Sequence, residues 1–174
     1  TTSALAKESV PETMVLSKDN TITLMGEVNG PSVAKVIQAA RKMDVALKNN
    51  HPIILVLDTP GGSIQAGLEL IEALQSLNRP VHTLTIFAAS MGFQIAQNLD
   101  KRNILNFGTL MSHKAFGGFQ GEFGDGVSQL DSRYGFWMRR IKQLDEKTVS
   151  RTKGKQTLKS YRTSYENELW LNGS

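Results

Sequence analysis

The sequence contains no cysteine, and this absence removes several classes of chemistry at once. Disulfide frameworks, thiolate metal sites and thiol nucleophiles are all excluded. Long hydrophobic runs are lacking too, because no stretch approaches the roughly 20 apolar residues that cross a bilayer. Residues 1–10 carry neither the basic nor the apolar region of a signal peptide. We therefore expect a soluble protein without a membrane span and with a cytoplasmic location, an exported location being left open.

Positive charge is concentrated in one part of the chain. Residues 139–162 hold nine of the 20 Lys and Arg residues but only two acidic ones. No nucleic-acid-binding motif and no pattern of interleaved aromatic residues accompanies this charge. The stretch therefore predicts a solvated helix face or an interface, and no nucleic-acid partner.

The order of hydrophobic patterns predicts one α/β domain over residues 13–174, preceded by an N-terminal arm over residues 1–12. We expect strands at 13–16 and 21–25, which would form a hairpin, and at 52–57, 81–86, 103–107 and 109–112. We expect helices from the N-cap Ser32 to Asn49, at 64–77, up to Asn98, at 127–148 and at 156–168. This alternation is typical of a mainly parallel sheet with right-handed crossovers.

Ser90 stands between a β-branched run and a helical pattern, among the small residues Ala88, Ala89 and Gly92. At a strand-to-helix turn, small neighbours relieve backbone crowding and the hydroxyl lies beside the unpaired N–H groups of the next helix. A nucleophilic serine is useful there. The alternative is that Ser90 is only the N-cap of that helix.

Two further motifs follow predicted strands, and parallel strands bring their carboxyl ends to one edge. Gly61 and Gly62 could supply oxyanion donors together with the Met91 N–H, although a Pro-Gly-Gly sequence is also an ordinary turn. His113 is the histidine expected at this edge, whereas His51 and His82 are interpreted as structural. The pattern predicts a serine nucleophile with a histidine base.

Three stretches, 58–67, 88–92 and 111–121, together resemble the proteolytic subunits of the Clp protease family, and the resemblance extends from about Leu24 to Leu171. It implies a crotonase-like α/β fold, with helices flanking a mainly parallel sheet and one long helix projecting from it. It also implies a serine endopeptidase that cleaves peptides or unfolded proteins and needs no metal or organic cofactor.

The resemblance also implies roles for individual residues. These are Ser90 as nucleophile, His113 as base, Glu168 as the third triad member, Gly61 and Met91 as the oxyanion hole, and Gly62, Phe116 and Gly117 in substrate binding.

The chain departs from the family pattern at several positions. Glu168 stands where the family has aspartate, and the extra methylene moves the carboxylate by more than about 1 Å. A surface glutamate is the alternative interpretation, with Asp125 and Asp131 next in line as the acid. Lys114 and Ala115 replace a glutamine and a proline. We do not recognise the family's unfoldase-docking segment in residues 1–15, and we expect its C-terminal helix and strand to be absent from this chain.

An apolar stripe on the long helix predicts assembly, because exposed aromatic stripes mark interfaces. Its members are Val127, Leu130, Tyr134, Trp137, Met138, Ile141 and Leu144. The family resemblance implies a homo-oligomeric ring, with two stacked heptamers enclosing the sites, and an ATP-dependent unfoldase as partner. Packing of the stripe within one subunit is the alternative.

Two other functions stay open on the sequence alone. A peptidase of the signal peptide peptidase A type would use a lysine base, with Lys142 or Lys147 as the candidates. A non-catalytic scaffold of the same crotonase-like fold would use neither Ser90 nor His113 chemically. The matching sequence around His113 argues against the first, and the presence of both residues argues against the second.

Overall fold

Five strands lie side by side in chain order to form one sheet. The computed structural model describes residues 14–47, 51–118 and 126–174, so the predicted arm over residues 1–12 and Asp125 lie outside the described residues. The strands are β1 (Thr21–Met25), β2 (Ile53–Thr59), β3 (Val81–Ala89), β4 (Lys101–Ser112) and β5 (Leu169–Asn172). β1 to β4 pair in parallel, and β5 pairs with β4 in the antiparallel sense. The predicted α/β fold with a mainly parallel sheet is confirmed.

Three helices connect the parallel strands, and two follow β4. The helices are α1 (Gly30–Ala46), α2 (Ile64–Gln75), α3 (Met91–Asn98), α4 (Gly126–Ser150) and α5 (Leu158–Ser164). The main hydrophobic core lies between α1, α2, α3 and the sheet, where β2 contributes the buried residues Ile53, Leu55 and Leu57. Among the described residues, none of the helices combines the length and apolar character that a membrane span requires.

The N-terminal elements differ from two sequence predictions. The expected hairpin is wrong, because residues 14–17 form no strand and β1 pairs in parallel with β2. Asn29, not Ser32, caps α1: its side chain accepts the Ser32 N–H, and the Ser32 hydroxyl accepts the Asn29 N–H in return. The reciprocal bonds satisfy two amides at the helix start, which one serine cap would not.

The C-terminal elements also differ from the prediction. β4 is one strand with an irregular register opposite Thr85–Phe87, where two short strands were expected. The helix expected at 156–168 is shorter, since it starts after the cap Thr157 and ends at Ser164. Its expected last residue, Glu168, has a φ of 69°, which no α-helix contains. The residues after Glu168 form β5, which hydrophobic periodicity over four residues could not reveal.

The long helix α4 is anchored at one end. It packs against α3 and α5, and its fully buried described side chains are Leu144, Asp145 and Thr148. Its 25 residues correspond to a length of about 37 Å. Among the described residues, those of α4 before Leu144 are therefore only half-buried or exposed.

Candidate active site

Ser90 occupies a strained turn between β3 and α3. Its φ of 55° and ψ of −116° lie outside the regions that residues with a Cβ normally adopt. The Ser90 N–H donates a hydrogen bond of 2.8 Å to the Met111 carbonyl of β4, which fixes the turn to the neighbouring strand. The half-buried side chain therefore stands at the carboxyl edge of the sheet, as the sequence predicts for a nucleophile.

Ser90 does not act as a capping side chain. Asn29, Ser63 and Thr157 cap α1, α2 and α5 through side-chain oxygens, whereas Ser90 makes no such hydrogen bond to α3. Ser90 therefore occupies the N-cap position of α3 without capping the helix through its side chain. The hydroxyl is left available for chemistry, and the first amides of α3 keep their hydrogen-bonding capacity.

The loop at Gly61 and Gly62 lies directly against Ser90. A Cβ on Gly61 would stand 2.6 Å from the Ala89 carbonyl oxygen and 2.8 Å from the Met91 nitrogen, distances that no side chain tolerates. Gly61 also has a φ of 95°, which favours glycine. Val28 holds the loop from the other side, because its N–H donates to the Gly61 oxygen at 2.8 Å.

The two predicted oxyanion donors differ in whether their N–H group already has an acceptor. The Gly61 N–H donates at 3.1 Å to the hydroxyl of Thr59, which is fully buried. The Met91 N–H belongs to the first turn of α3, where amides have no intrahelical acceptor. A substrate oxygen would thus meet Met91 directly and would share the Gly61 N–H with Thr59.

His113 follows the last residue of β4, on the same edge as Ser90. The β3–β4 register pairs Ala89 with Met111, so His113 comes two residues after the carbonyl that holds the Ser90 N–H. Its half-buried ring lies 5.6 Å from the ring of Phe116. The structure therefore brings the predicted base to the strand end beside the predicted nucleophile.

Glu168 reaches the same region by its backbone. The antiparallel register of β4 and β5 ends at the pair Ser112 and Leu169, so His113 follows and Glu168 precedes a paired residue by one position. The exposed carboxylate of Glu168 accepts a hydrogen bond of 3.1 Å from the Trp170 indole N–H. The carboxylate would have to release the Trp170 N–H before it could orient His113. Of the two alternative acids, Asp131 lies within the described residues, and it is exposed on α4.

A cavity of about 390 Å³ opens beside these residues. Its walls are the start of α2 with Gly62, the loop Ala115–Gly118, and four side chains of α4. The predicted substrate-binding residues Gly62, Phe116 and Gly117 all line it. The α4 side chains are Tyr134, Trp137, Met138 and Ile141, which the sequence assigned to assembly, with packing within one subunit as the alternative. The apolar spacing of these four side chains indicates a covered helix face, but periodicity does not say what covers it.

Comparison with known proteins identifies the family. The family model for Clp protease matches residues 6–174. The chain belongs to the Clp protease family. It is 36% identical over 113 residues to the ATP-dependent Clp protease proteolytic subunit of Borreliella afzelii, covering 63% of this chain and 57% of that protein. Proteins of the same name from Streptococcus pyogenes and Streptococcus equi are 31% identical over 160 residues, covering 90% of this chain and 79% of theirs.

Membership of the Clp protease family makes the chain a serine-type peptidase by class, and the predicted hydrolase class is confirmed.

The lysine-base alternative loses support from the structure. Lys142 is exposed and pairs with Glu146 at 3.6 Å, and Lys147 is exposed on the same helix. Among the described residues, no group of three or more His, Asp or Glu side chains could hold a metal ion.

Proposed function

We propose that this chain is the proteolytic subunit of an ATP-dependent Clp protease, which cleaves peptide bonds in unfolded polypeptides. The observation that carries the proposal is the Ser90 turn: a strained serine that caps nothing, with Gly61 packed against it and the strand leading to His113 bonded to its N–H. Backbone strain of this kind persists where the surrounding structure enforces it and chemistry uses it.

In the proposed mechanism Ser90 Oγ attacks the carbonyl carbon of the scissile peptide while His113 takes the hydroxyl proton. The carbonyl oxygen becomes an oxyanion, and the Gly61 and Met91 N–H groups donate to it. Collapse of this intermediate breaks the C–N bond, and His113 gives its proton to the leaving amine. Water then attacks the acyl-enzyme by the same route and releases the second product.

Glu168 completes the proposed triad after its side chain turns from Trp170 towards His113. A carboxylate beside the imidazole selects one tautomer and stabilises the imidazolium that forms. The support is positional, since the β4–β5 register ends at Ser112 opposite Leu169, the neighbours of His113 and Glu168. The backbone strain at its φ of 69° fits a residue whose place is imposed by the fold.

The substrate is proposed to lie across the cavity beside Gly62, Phe116 and Gly117. A cavity of about 390 Å³ with apolar walls suits one or two hydrophobic side chains of an extended peptide. The exposed backbone of Gly117 offers hydrogen-bonding groups to such a peptide. An extended chain fits this edge, and a folded substrate would first have to be opened.

The proposed assembly is a homo-oligomeric ring, in pairs of stacked heptamers, that works with an ATP-dependent unfoldase. The related proteins from Borreliella and Streptococcus are named as subunits of an ATP-dependent protease, which supports assembly and an ATP-dependent partner. The structure adds that Tyr134 of the α4 stripe is 57% exposed, so packing within the described part of one chain does not fully cover the stripe. A second subunit is the cover that we propose. The cytoplasmic location stays a prediction.

Labelling by a fluorophosphonate probe, together with hydrolysis of a short fluorogenic peptide, tests the proposed chemistry. We expect Ser90→Ala to abolish labelling, and both Ser90→Ala and His113→Ala to reduce kcat/KM by about 10³-fold or more, as in triads whose members act as a unit. Lys142→Ala is the matched control and should retain full activity, because Lys142 lies exposed on α4.

Two results would overturn this proposal. Activity that survives in His113→Ala and disappears in Lys142→Ala would establish a lysine base. A wild-type chain that neither reacts with the probe nor cleaves peptides, although folded and assembled, would indicate a non-catalytic scaffold.

A further inference from the structure

A buried hydroxyl pair lies behind the candidate base. Ser112, the last residue of β4 and the neighbour of His113, is 2% exposed, and Tyr161 of α5 is 1% exposed. The Ser112 Oγ and the Tyr161 hydroxyl are 2.9 Å apart and share a hydrogen bond. Two buried hydroxyls that meet across 49 positions of sequence form a specific tie between β4 and α5.

The Tyr161 hydroxyl also lies beside the helix that follows Ser90. Thr148 donates to the Gln94 side-chain oxygen at 3.3 Å, and both side chains interact with the Tyr161 hydroxyl and oppose the rise of its pKa that burial causes. The Gln94 N–H in turn donates to the Ser90 carbonyl oxygen at 3.3 Å. The Tyr161 hydroxyl therefore bonds to the neighbour of His113 and lies near the first turn of the helix that follows Ser90.

Tyr161 is itself held firmly. Its ring packs edge-on against Tyr165 at 4.8 Å between centroids, and both rings belong to a small core with Phe93. Asp145 of α4, 2% exposed, accepts the Tyr165 hydroxyl at 2.9 Å and the Arg162 guanidinium at 2.8 Å. The ring packing and the ion pair between Arg162 and Asp145 fix α5 to α4 even without the Tyr165 hydroxyl, so Tyr161 is a rigid support.

We propose that Tyr161 is a positioning residue that sets the direction of the His113 side chain through Ser112. Successive side chains of a strand point to opposite faces, so a bond that holds Ser112 on the inner face fixes the direction in which His113 leaves the strand end. The loop after His113 is exposed, with Phe116 87% exposed, and offers little support of its own. The inference rests on the proposed role of His113 as base.

The hydroxyl is the essential part of Tyr161. Without it, the Ser112 hydroxyl would be buried with no partner, and the end of β4 would relax to recover a hydrogen bond. A displacement of about 1 Å at a catalytic group lowers rates by up to about 10²-fold. Tyr161 therefore acts on kcat, whereas binding of the peptide in the cavity is left unchanged.

The test compares Tyr161→Phe with Tyr165→Phe, two variants that each remove one buried hydroxyl, the first from α5 and the second from its C-cap. We expect Tyr161→Phe and Ser112→Ala each to lower kcat about tenfold with KM unchanged. The double variant should be no worse than either single one, because both remove the same bond. Ser112→Thr keeps the hydroxyl and should restore activity. Tyr165→Phe loses a bond to Asp145 and should keep wild-type kcat.

A second measurement does not depend on turnover. NMR of ¹³C-labelled histidine, with the His113 signal assigned by His113→Ala, should show that signal moved or broadened in Tyr161→Phe and unchanged in Tyr165→Phe. Equal kcat losses in the two tyrosine variants, or an unchanged His113 signal in Tyr161→Phe, would overturn the inference. If Ser90→Ala matched the wild type in activity, the proposed function would fail, while the NMR comparison would still decide whether Tyr161 positions His113.

Discussion

The two halves of the candidate site are built differently. The nucleophile half consists of Gly61, Ser90 and Met91, and its backbone is enclosed by neighbouring strands and helices. The base half consists of His113, Glu168 and the loop Ala115–Gly118, and the loop and Glu168 are exposed. One half is fixed by steric exclusion and the other by a few hydrogen bonds.

This difference shows which part of the chemistry tolerates change. In the nucleophile half a single added methyl group has no space, because backbone atoms surround it. In the base half, side chains can turn without moving the backbone, as the contact between Glu168 and Trp170 illustrates. We expect substitutions in the first half to cause larger losses than substitutions in the second.

Gly61→Ala should cause the largest loss. The new Cβ would lie 2.7 Å from the Ser90 Cβ, so the loop must withdraw and one oxyanion donor is lost. Loss of one such donor costs about 10²- to 10³-fold in kcat. Peptide hydrolysis measures the effect, and Gly30→Ala is the control, since nothing lies within 4 Å of its Cβ position. Activity of Gly61→Ala within threefold of wild type would contradict the close packing.

Glu168→Gln should cause an intermediate loss. If the carboxylate turns towards His113 during catalysis, an amide in its place favours the wrong tautomer and lowers kcat by about tenfold or more. The pH dependence of kcat is the measurement, with Glu166→Gln as control because Glu166 pairs with Lys114 on the surface. A kcat within twofold of wild type would leave Glu168 as a surface residue and direct attention to Asp131.

Trp137→Glu should lower activity least of the three variants, because it alters the wall of the cavity but leaves Ser90 and the oxyanion donors in place, whereas its effect on assembly is large. A charge on the apolar face of α4 opposes burial against another subunit, so sedimentation should show smaller species with activity reduced several-fold. Gln143→Glu adds the same charge at an exposed position of the same helix and should sediment as wild type. A wild-type chain that sediments as a monomer would refute the assembly while leaving the chemistry of Ser90 untouched.

The local structure of the nucleophile half is easier to predict from the sequence than that of the base half, for a physical reason. A strand, a small-residue turn and a helix are local features, so residues 81–98 carry their own signal. The hydrogen bond between Ser112 and Tyr161 joins positions 49 residues apart, and no spacing rule predicts it. The hydrogen bond from Trp170 to Glu168 likewise depends on side-chain geometry that β5 creates.

Helix α4 is anchored near one end, because its buried side chains lie between Leu144 and Thr148, and a small rotation there would move the other end like the arm of a lever. The roughly 18 residues before Leu144 span about 27 Å. A rotation of about 5° at the anchored end would therefore displace the first turn by about 2 Å. The side chains that wall the cavity, Tyr134 to Ile141, lie along this lever arm. A contact that tilts the helix would change the width of the cavity with no rearrangement at Ser90.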